Sequence, residues 1–323
     1  MKAYKQLTYE QRCQIEALKK SGISQKAIAA VVGVNQCSIS RELSRNTGQR
    51  GYRHKQAHHK TVERRQEVVK RRKMTAQLID EIEDKLLLKW SPEQISGWLR
   101  INRNISISHE SIYRHVWADK AAGGVLYTHL RRQARKYKYR GGSGKTRSGQ
   151  LKNRVSIDER PLSVDEKSAV GDWEIDTVIG KGHRGALVTI VERVTLFTVS
   201  IRVNSKRARA VTAATISVLR PYKALVRTIT SDNGKEFAYH EEIAAALACD
   251  FYFAHPYHSW ERGLNENTNG LLRQYFPKST DFTKVSAKAV NESVAELNDR
   301  PRKTLAFKTP AALMQAEMAA LAV

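Results

Sequence analysis

Three acidic residues set the chemistry open to this chain of 323 residues. Asp176 lies in Asp172-Trp173-Glu174-Ile175-Asp176-Thr177-Val178-Ile179, a strand-like run. Asp232 opens the polar turn Asp232-Asn233-Gly234 that ends the β-branched stretch 227–230. Glu266 falls in a proline-free run whose apolar side carries Leu264, Leu271, Leu272, Tyr275 and Phe276, the pattern of a helix. Two strand-borne aspartates and a helix-borne glutamate can hold two divalent metal ions. Paired metals are the usual equipment for cutting or joining phosphodiesters.

Such acids need a sheet to bring them level and a helix packed beside it. Runs 173–179, 186–191 and 197–203 read as three strands whose short breaks favour antiparallel neighbours. A helix follows over 205–219, then a strand at 226–230, a helix at 241–247, a strand at 251–253 and the helix of Glu266. This β-β-β-α-β-α-β-α order is that of a ribonuclease-H-like domain, a mixed sheet with helices on both faces. In that arrangement Asp176 and Asp232 are neighbours. Asp172 shares the face of Asp176 and is its nearest substitute, whereas Glu174, after Trp173, is expected to point away. His255 and His258 flank a proline turn and read as structural or DNA-contact groups, because Mg²⁺ prefers oxygen.

Upstream the texture is helical. Thr8 and Gln11 form a capping box, Ser24 caps a second helix closed by Gly33, and Asn35 caps a third. With Ile39 and Leu43 inward, the third helix turns Gln36, Ser40, Arg41, Ser44 and Arg45 outward, as a helix-turn-helix does towards DNA. Residues 50–73 read as a basic, polar connector, whose His54, His58 and His59 complete no zinc site. A second unit repeats the layout: an apolar stripe at Leu78, Ile79, Ile82 and Leu86, a helix opened by Ser91-Pro92-Glu93-Gln94, and one capped by Ser108. Its outward residues, His109, Glu110, Tyr113 and Arg114, make it a candidate second DNA reader. The expected division is therefore a helix-turn-helix domain at 1–50, a second helical DNA-binding domain at 74–120, a basic flexible linker at 131–157 and a catalytic domain with C-terminal helices at 165–323. The fold class is α+β multidomain, with all-α helix-turn-helix units followed by a ribonuclease-H-like mixed α/β domain.

Charge separates the two halves. Residues 1–154 hold 34 Lys and Arg against 12 Asp and Glu, and the remainder 22 against 20. A basic front on a nearly neutral back suits a polyanion-binding region joined to a separate module. Cys13, Cys37 and Cys249 form no Cys-x-x-Cys pair and suggest free thiols in a reducing compartment. No run is apolar enough to span a bilayer, so the expected location is the bacterial cytoplasm, with the nucleoid.

The chain resembles DDE transposases of the insertion-sequence-thirty family, relatives of retroviral integrases, over nearly its whole length. The matching blocks are Gly171-Asp172-Trp173-Glu174-x-Asp176, Thr230-Ser231-Asp232-Asn233-Gly234-x-Glu236-Phe237 and Trp260-Glu261-Arg262-Gly263-Leu264-Asn265-Glu266-Asn267-Thr268-Asn269-Gly270. Gln274-Tyr275-Phe276-Pro277-Lys278 and Asn298-x-Arg300-Pro301-Arg302-Lys303 are also alike. Ile175 departs from the pattern, which often has Gly there. The resemblance implies Asp176, Asp232 and Glu266 as the catalytic, metal-holding triad, terminal inverted repeats as substrate, and circular intermediates. Two Mg²⁺ ions are expected, with Mn²⁺ able to substitute: Asp176 would bridge both, and Asp232 and Glu266 would each complete one. Arg273, two turns after Glu266, is expected on the phosphate of the DNA end, and Asn265 and Asn269 at that end or beside Glu266. The partners expected are double-stranded DNA, as element ends and target, and further copies of the chain in at least a dimer. A DNA-binding regulator without activity, or a nuclease that cuts without joining, are the alternative readings.

Overall fold

The computed structural model describes residues 6–67, 74–131, 151–256 and 258–321. They form two compact units, residues 1–73 and 74–323.

The first unit holds four helices: α1 (Tyr9–Lys20), α2 (Gln25–Val32), α3 (Gln36–Asn46) and α4 (His54–Glu67). Each of the first three starts where the sequence places a cap, with Thr8, Ser24 and Asn35 accepting from the first turn. Gly33, at φ 72°, ends α2 in the left-handed conformation that glycine adopts without steric cost. Ile15, Ile28, Val32, Ile39 and Leu43 form the core. Beside it the buried Arg12 guanidinium pairs with Glu42 at 2.8 Å, and the Tyr52 hydroxyl donates to the same carboxylate.

Helix α4 corrects the expected connector at 50–73. It packs on α1 and α3 although its only buried apolar side chain is Ala57, helped by Tyr52 just before it. The ties are polar: His54 bonds Glu16 and lies 3.2 Å from the Tyr9 hydroxyl, and Arg64 donates to Asn46. Sequence periodicity cannot register a helix docked through such groups. Residues 68–73 lie outside the described residues.

The second unit opens with α5 (Ala76–Leu87), α6 (Pro92–Asn102) and α7 (His109–Ala121), capped by Thr75, Ser91 and Ser108. Their core gathers Leu78, Ile82, Leu86, Trp90, Ile95, Leu99, Ile112 and Val116. These helices belong to the same compact unit as the sheet, which corrects the separation expected between 74–120 and the catalytic region. Lys303 pairs with Glu93 at 2.7 Å, and Lys89 sits 3.7 Å from the centre of the Tyr275 ring. Gly97 lies so close under Phe307 that a Cβ would stand 2.1 Å from the ring.

After the short α8 (Leu162–Glu166) come β1 (Asp172–Ile179), β2 (Ala186–Glu192), β3 (Thr198–Val203), α9 (Ala208–Leu219), β4 (Thr228–Ser231), α10 (His240–Leu247), β5 (Asp250–Phe253) and α11 (Gly263–Leu272). Helices α12 (Ala287–Asn298) and α13 (Pro310–Ala320) follow. The strand order is β3-β2-β1-β4-β5. The β1–β2 and β2–β3 pairs are antiparallel, and β1–β4 and β4–β5 are parallel. Trp173 and Ile175 bury into the core on one face, with residues of α9 and α10. Val178 and Leu187 bury on the other with Leu271, Leu272, Val290 and Val294 of α11 and α12. Ile175, fully buried, thus fills core space where the family pattern often has Gly.

Of the linker expected at 131–157, residues 132–150 lie outside the described residues. Its last part is not linker: Leu151 packs on the sheet core, and the Phe253 amide donates to the Val155 carbonyl at 3.0 Å. Residues 155–156 therefore run along the free edge of β5, where unpaired backbone groups need partners.

Candidate active site

The parallel register of β1 and β4 brings the two aspartates level. Glu174 stands opposite Thr230, so two residues further along each chain come Asp176, within β1, and Asp232, just past the end of β4. Arg262 spans them, with Nη1 3.8 Å from Asp176 Oδ1 and Nη2 3.6 Å from Asp232 Oδ2. Asn269 of α11 donates to Asp176 Oδ2 at 2.9 Å and accepts from the Thr189 hydroxyl, which holds the acid against the helix. The Gly234 amide donates to Asp232 Oδ1 at 3.0 Å.

Burial pushes the Asp176 carboxyl up to about 6. Arg262 and the Thr177 amide pull the other way, while the charges of Asp232 and Glu236 add to the rise. The site is therefore a crowd of acids held by too few cations, the electrostatic state of a place that takes up positive charge.

Glu266 lies in the first turn of α11 with its side chain exposed. It is one turn before Asn269 on the same side of the helix, so its backbone is placed next to the residue that touches Asp176. The structure thus links Asp176 and Asp232 through Arg262, while Glu266 stands exposed one turn before Asn269.

Two site residues escaped the sequence reading. Glu236 is almost wholly buried, accepts from the Thr177 hydroxyl at 2.8 Å and pairs with Lys206 at 3.3 Å. A Cβ on Gly234 would meet its carboxylate at 2.6 Å and Asp232 Oδ1 at 2.9 Å, so the glycine is what lets both acids crowd the turn. The signal was the short Asp232-x-Gly234-x-Glu236 spacing. Arg262 was legible only as a motif residue.

Four expectations change. Glu174 is on the same face as Asp176, as strand alternation requires. Its Oε1 accepts from Arg193 at 2.9 Å and its Oε2 from the Asn265 amide at 3.1 Å, so it caps a helix that has no side-chain cap of its own. Asp172, the proposed substitute, is buried and accepts from the Thr228 hydroxyl at 2.8 Å, away from Arg262 and Asp232. Asn265 is fully buried, which removes it from any DNA surface. Arg273 spends its guanidinium on the carbonyls of Ile179, Phe276 and Pro277 instead of facing a phosphate.

On α3, Gln36, Ser40, Arg41, Ser44 and Arg45 are all exposed while Ile39 and Leu43 are buried. On α7, His109, Glu110, Tyr113 and Arg114 are exposed in the same way. Among the described residues, no helix is long and apolar enough to cross a membrane.

A mixed sheet with one aspartate within its central strand and another just past the end of the parallel neighbour, in a chain that opens with helix-turn-helix helices, defines an integrase-core protein. The family model "Integrase core domain" matches residues 167–259, and "Helix-turn-helix domain" matches residues 3–46. The transposase for insertion sequence element IS4351 of Bacteroides fragilis is 45% identical over 95% of this chain and 94% of its own length. The transposase InsI for insertion sequence element IS30A of Escherichia coli (strain K12) is 35% identical over 97% and 84%. The transposase for insertion sequence element IS1086 of Cupriavidus metallidurans is 34% identical over 95% and 93%. The chain belongs to the IS30 family of insertion-sequence transposases.

Glu174→Ala keeps the three acids in the sequence but takes one of two carboxylate partners from the buried Arg193, leaving Asp165, and uncaps α11. It should cost about 1–3 kcal/mol in urea unfolding, the penalty for leaving a buried donor short of its partner. The raised Asp176 pKa gives a second expectation for the metal-free protein. Between its unfolded value near 3.8 and about 6 the folded state holds the extra proton, so stability should fall as pH rises through that window. Unfolding midpoints measured from pH 4 to 7 should show this slope, and Asp176→Asn should lose it.

Proposed function

We propose that this chain binds the terminal inverted repeats of an insertion sequence, cleaves DNA at the element ends and transfers the freed 3′-hydroxyls to target DNA. The observation that carries the reading is the pair of carboxylates set level by the β1–β4 register around one cationic group.

The donor set suits divalent Mg²⁺: it is all oxygen, dense in negative charge and open to solvent at Glu266. Asp176, Asp232 and Glu266 would hold the ions, which supply charge neutralisation and an activated oxygen nucleophile. The chain's own residues do the rest. Asn269 orients Asp176, the Gly234 amide orients Asp232, and Glu174 keeps α11, which carries Glu266, seated. Arg262 is the shared counter-ion of both aspartates and would give up these carboxylates to bound ions.

Water attacks the phosphodiester at the element end, breaking the bond to the 3′ oxygen and leaving a free 3′-hydroxyl. That hydroxyl then attacks a target phosphodiester and displaces its 3′ oxygen. Each step exchanges one P–O bond for another, so no covalent enzyme intermediate and no ATP is required. The exposed face of α3 would read element DNA, and the face of α7 would add a second grip. Two ends must be held together, so the working form is at least a dimer, located with the nucleoid in the cytoplasm.

The test uses a supercoiled plasmid carrying the gene with its native flanks, with Mg²⁺ or EDTA. Metal-dependent breaks and joints at inverted repeats are expected. In Glu266→Gln they should fall by more than the roughly 10–100-fold typical of losing a supporting group at a metal site. Specific binding without any chemistry would establish a regulator instead, and cuts without joints a nuclease. On the reading head, Arg41→Ala should lower affinity for the repeat and reduce the slope of log K against log salt by about one, measured by fluorescence anisotropy.

A further inference from the structure

Between β5 and α11 the chain carries a side-chain cluster that the reaction does not use. His255 Nδ1 lies 2.8 Å from Glu261 Oε1, and His258 Nδ1 lies 3.3 Å from the same oxygen. One donor atom from each of the three residues falls within 4.8 Å of the others, and all three side chains are half-buried. We propose that His255, His258 and Glu261 form a transition-metal site of the zinc type, separate from the catalytic acids.

Three features support it. The spacing fits: two ligands of a tetrahedral zinc at about 2.0–2.1 Å stand roughly 3.3–3.4 Å apart. The His258–Glu261 pair is already there, and His255 needs to open by about half an ångström. The donor chemistry also differs from that of the catalytic acids: two imidazoles and one carboxylate select zinc over magnesium, and a solvent molecule would take the fourth position.

The third feature is outer support of the kind metal ligands have. His255 turns its other nitrogen, Nε2, to Asp158 Oδ2 at 3.0 Å, the carboxylate–histidine arrangement that fixes a ligand ring. Glu261 anchors its second oxygen on the His255 amide at 2.8 Å, which leaves Oε1 to face both rings. The loop is itself pinned, since Asn233, next to Asp232, donates to the Ala254 carbonyl. With Zn²⁺ bound, the two neutral rings and the carboxylates of Glu261 and Asp158 balance the charge. The site would act as a clip. It ties the end of β5 to the residues just before Arg262, which spans the aspartates, and steadies the His258 ring, tilted 4.3 Å from the exposed Trp260.

The test uses full-length protein stripped with EDTA and titrated with Zn²⁺ against a chromophoric chelator, with thermal unfolding in parallel. One Zn²⁺ per chain at micromolar protein is expected, with a rise in Tm that excess Mg²⁺ does not reproduce. His258→Ala and His255→Ala should each lose that ion, with circular dichroism confirming that the variants are folded. Asp158→Asn should weaken binding about 10–100-fold. Asp232→Asn should keep one Zn²⁺ per chain, which distinguishes this site from the catalytic acids. Absence of Zn²⁺ binding, or binding unchanged in His258→Ala and lost in Asp232→Asn, would overturn the proposal and leave the cluster as a hydrogen-bonded turn.

Discussion

The catalytic half depends on one buried carboxylate. Glu174, on the central strand β1, caps α11 through the Asn265 amide and pairs with Arg193. Burial pushes its pKa up, while Arg193, the Asn265 amide and Arg262 oppose the rise. A charge in that position is tolerable only because both its oxygens are used. In return it locks the strand of Asp176 to the helix of Asn269 and Glu266, and the remaining site geometry follows from that lock. The parallel pairing of β4 then lays Asp232 beside Asp176, and Arg262, just before α11, is delivered between them.

Several side chains in this region hold other side chains or the backbone in place. Arg273 ties α11 to the end of β1 through the Ile179 carbonyl and to the following turn. Asn269 and Thr189 hold Asp176, while Thr177 and Lys206 hold Glu236. A site meant to gather metal ions concentrates like charges, and those charges stay together only when hydrogen-bond donors and a few cations fix each of them. The residues around the three acids are mostly that scaffolding.

The helical unit at 74–131 shows a different constraint. Its three capped helices could stand as a separate head, yet Phe307 fits against the bare backbone of Gly97, and Lys303 pairs with Glu93. These contacts join residues some two hundred positions apart, and neither partner carries a local signal of the other. Its exposed α7 face consequently belongs to the same compact unit as the acids, whereas α3 belongs to the other.

Caps, strand runs and the helical stripe are local patterns, so residue order alone determined helices α1–α3, α5–α7 and α9–α11, the five strands, the inward apolar pair on α3, and the candidacy of Asp176, Asp232 and Glu266. Period-two alternation also put Glu174 on the side of Asp176, although the neighbouring Trp173 argued the other way. What tertiary structure alone decided is what each polar group does once it is there. Asn265 and Arg273 sit at helical positions fit for DNA, but burial and three backbone carbonyls take them up. Helix α4 has almost no apolar face and is held by polar contacts to α1 and α3. Glu236 enters the site because a glycine two residues before it leaves room. Hydrophobic burial depends on side-chain type and spacing and can be read along the chain. The partner of a hydrogen bond or an ion pair depends on distances across the fold, which the order of residues does not state.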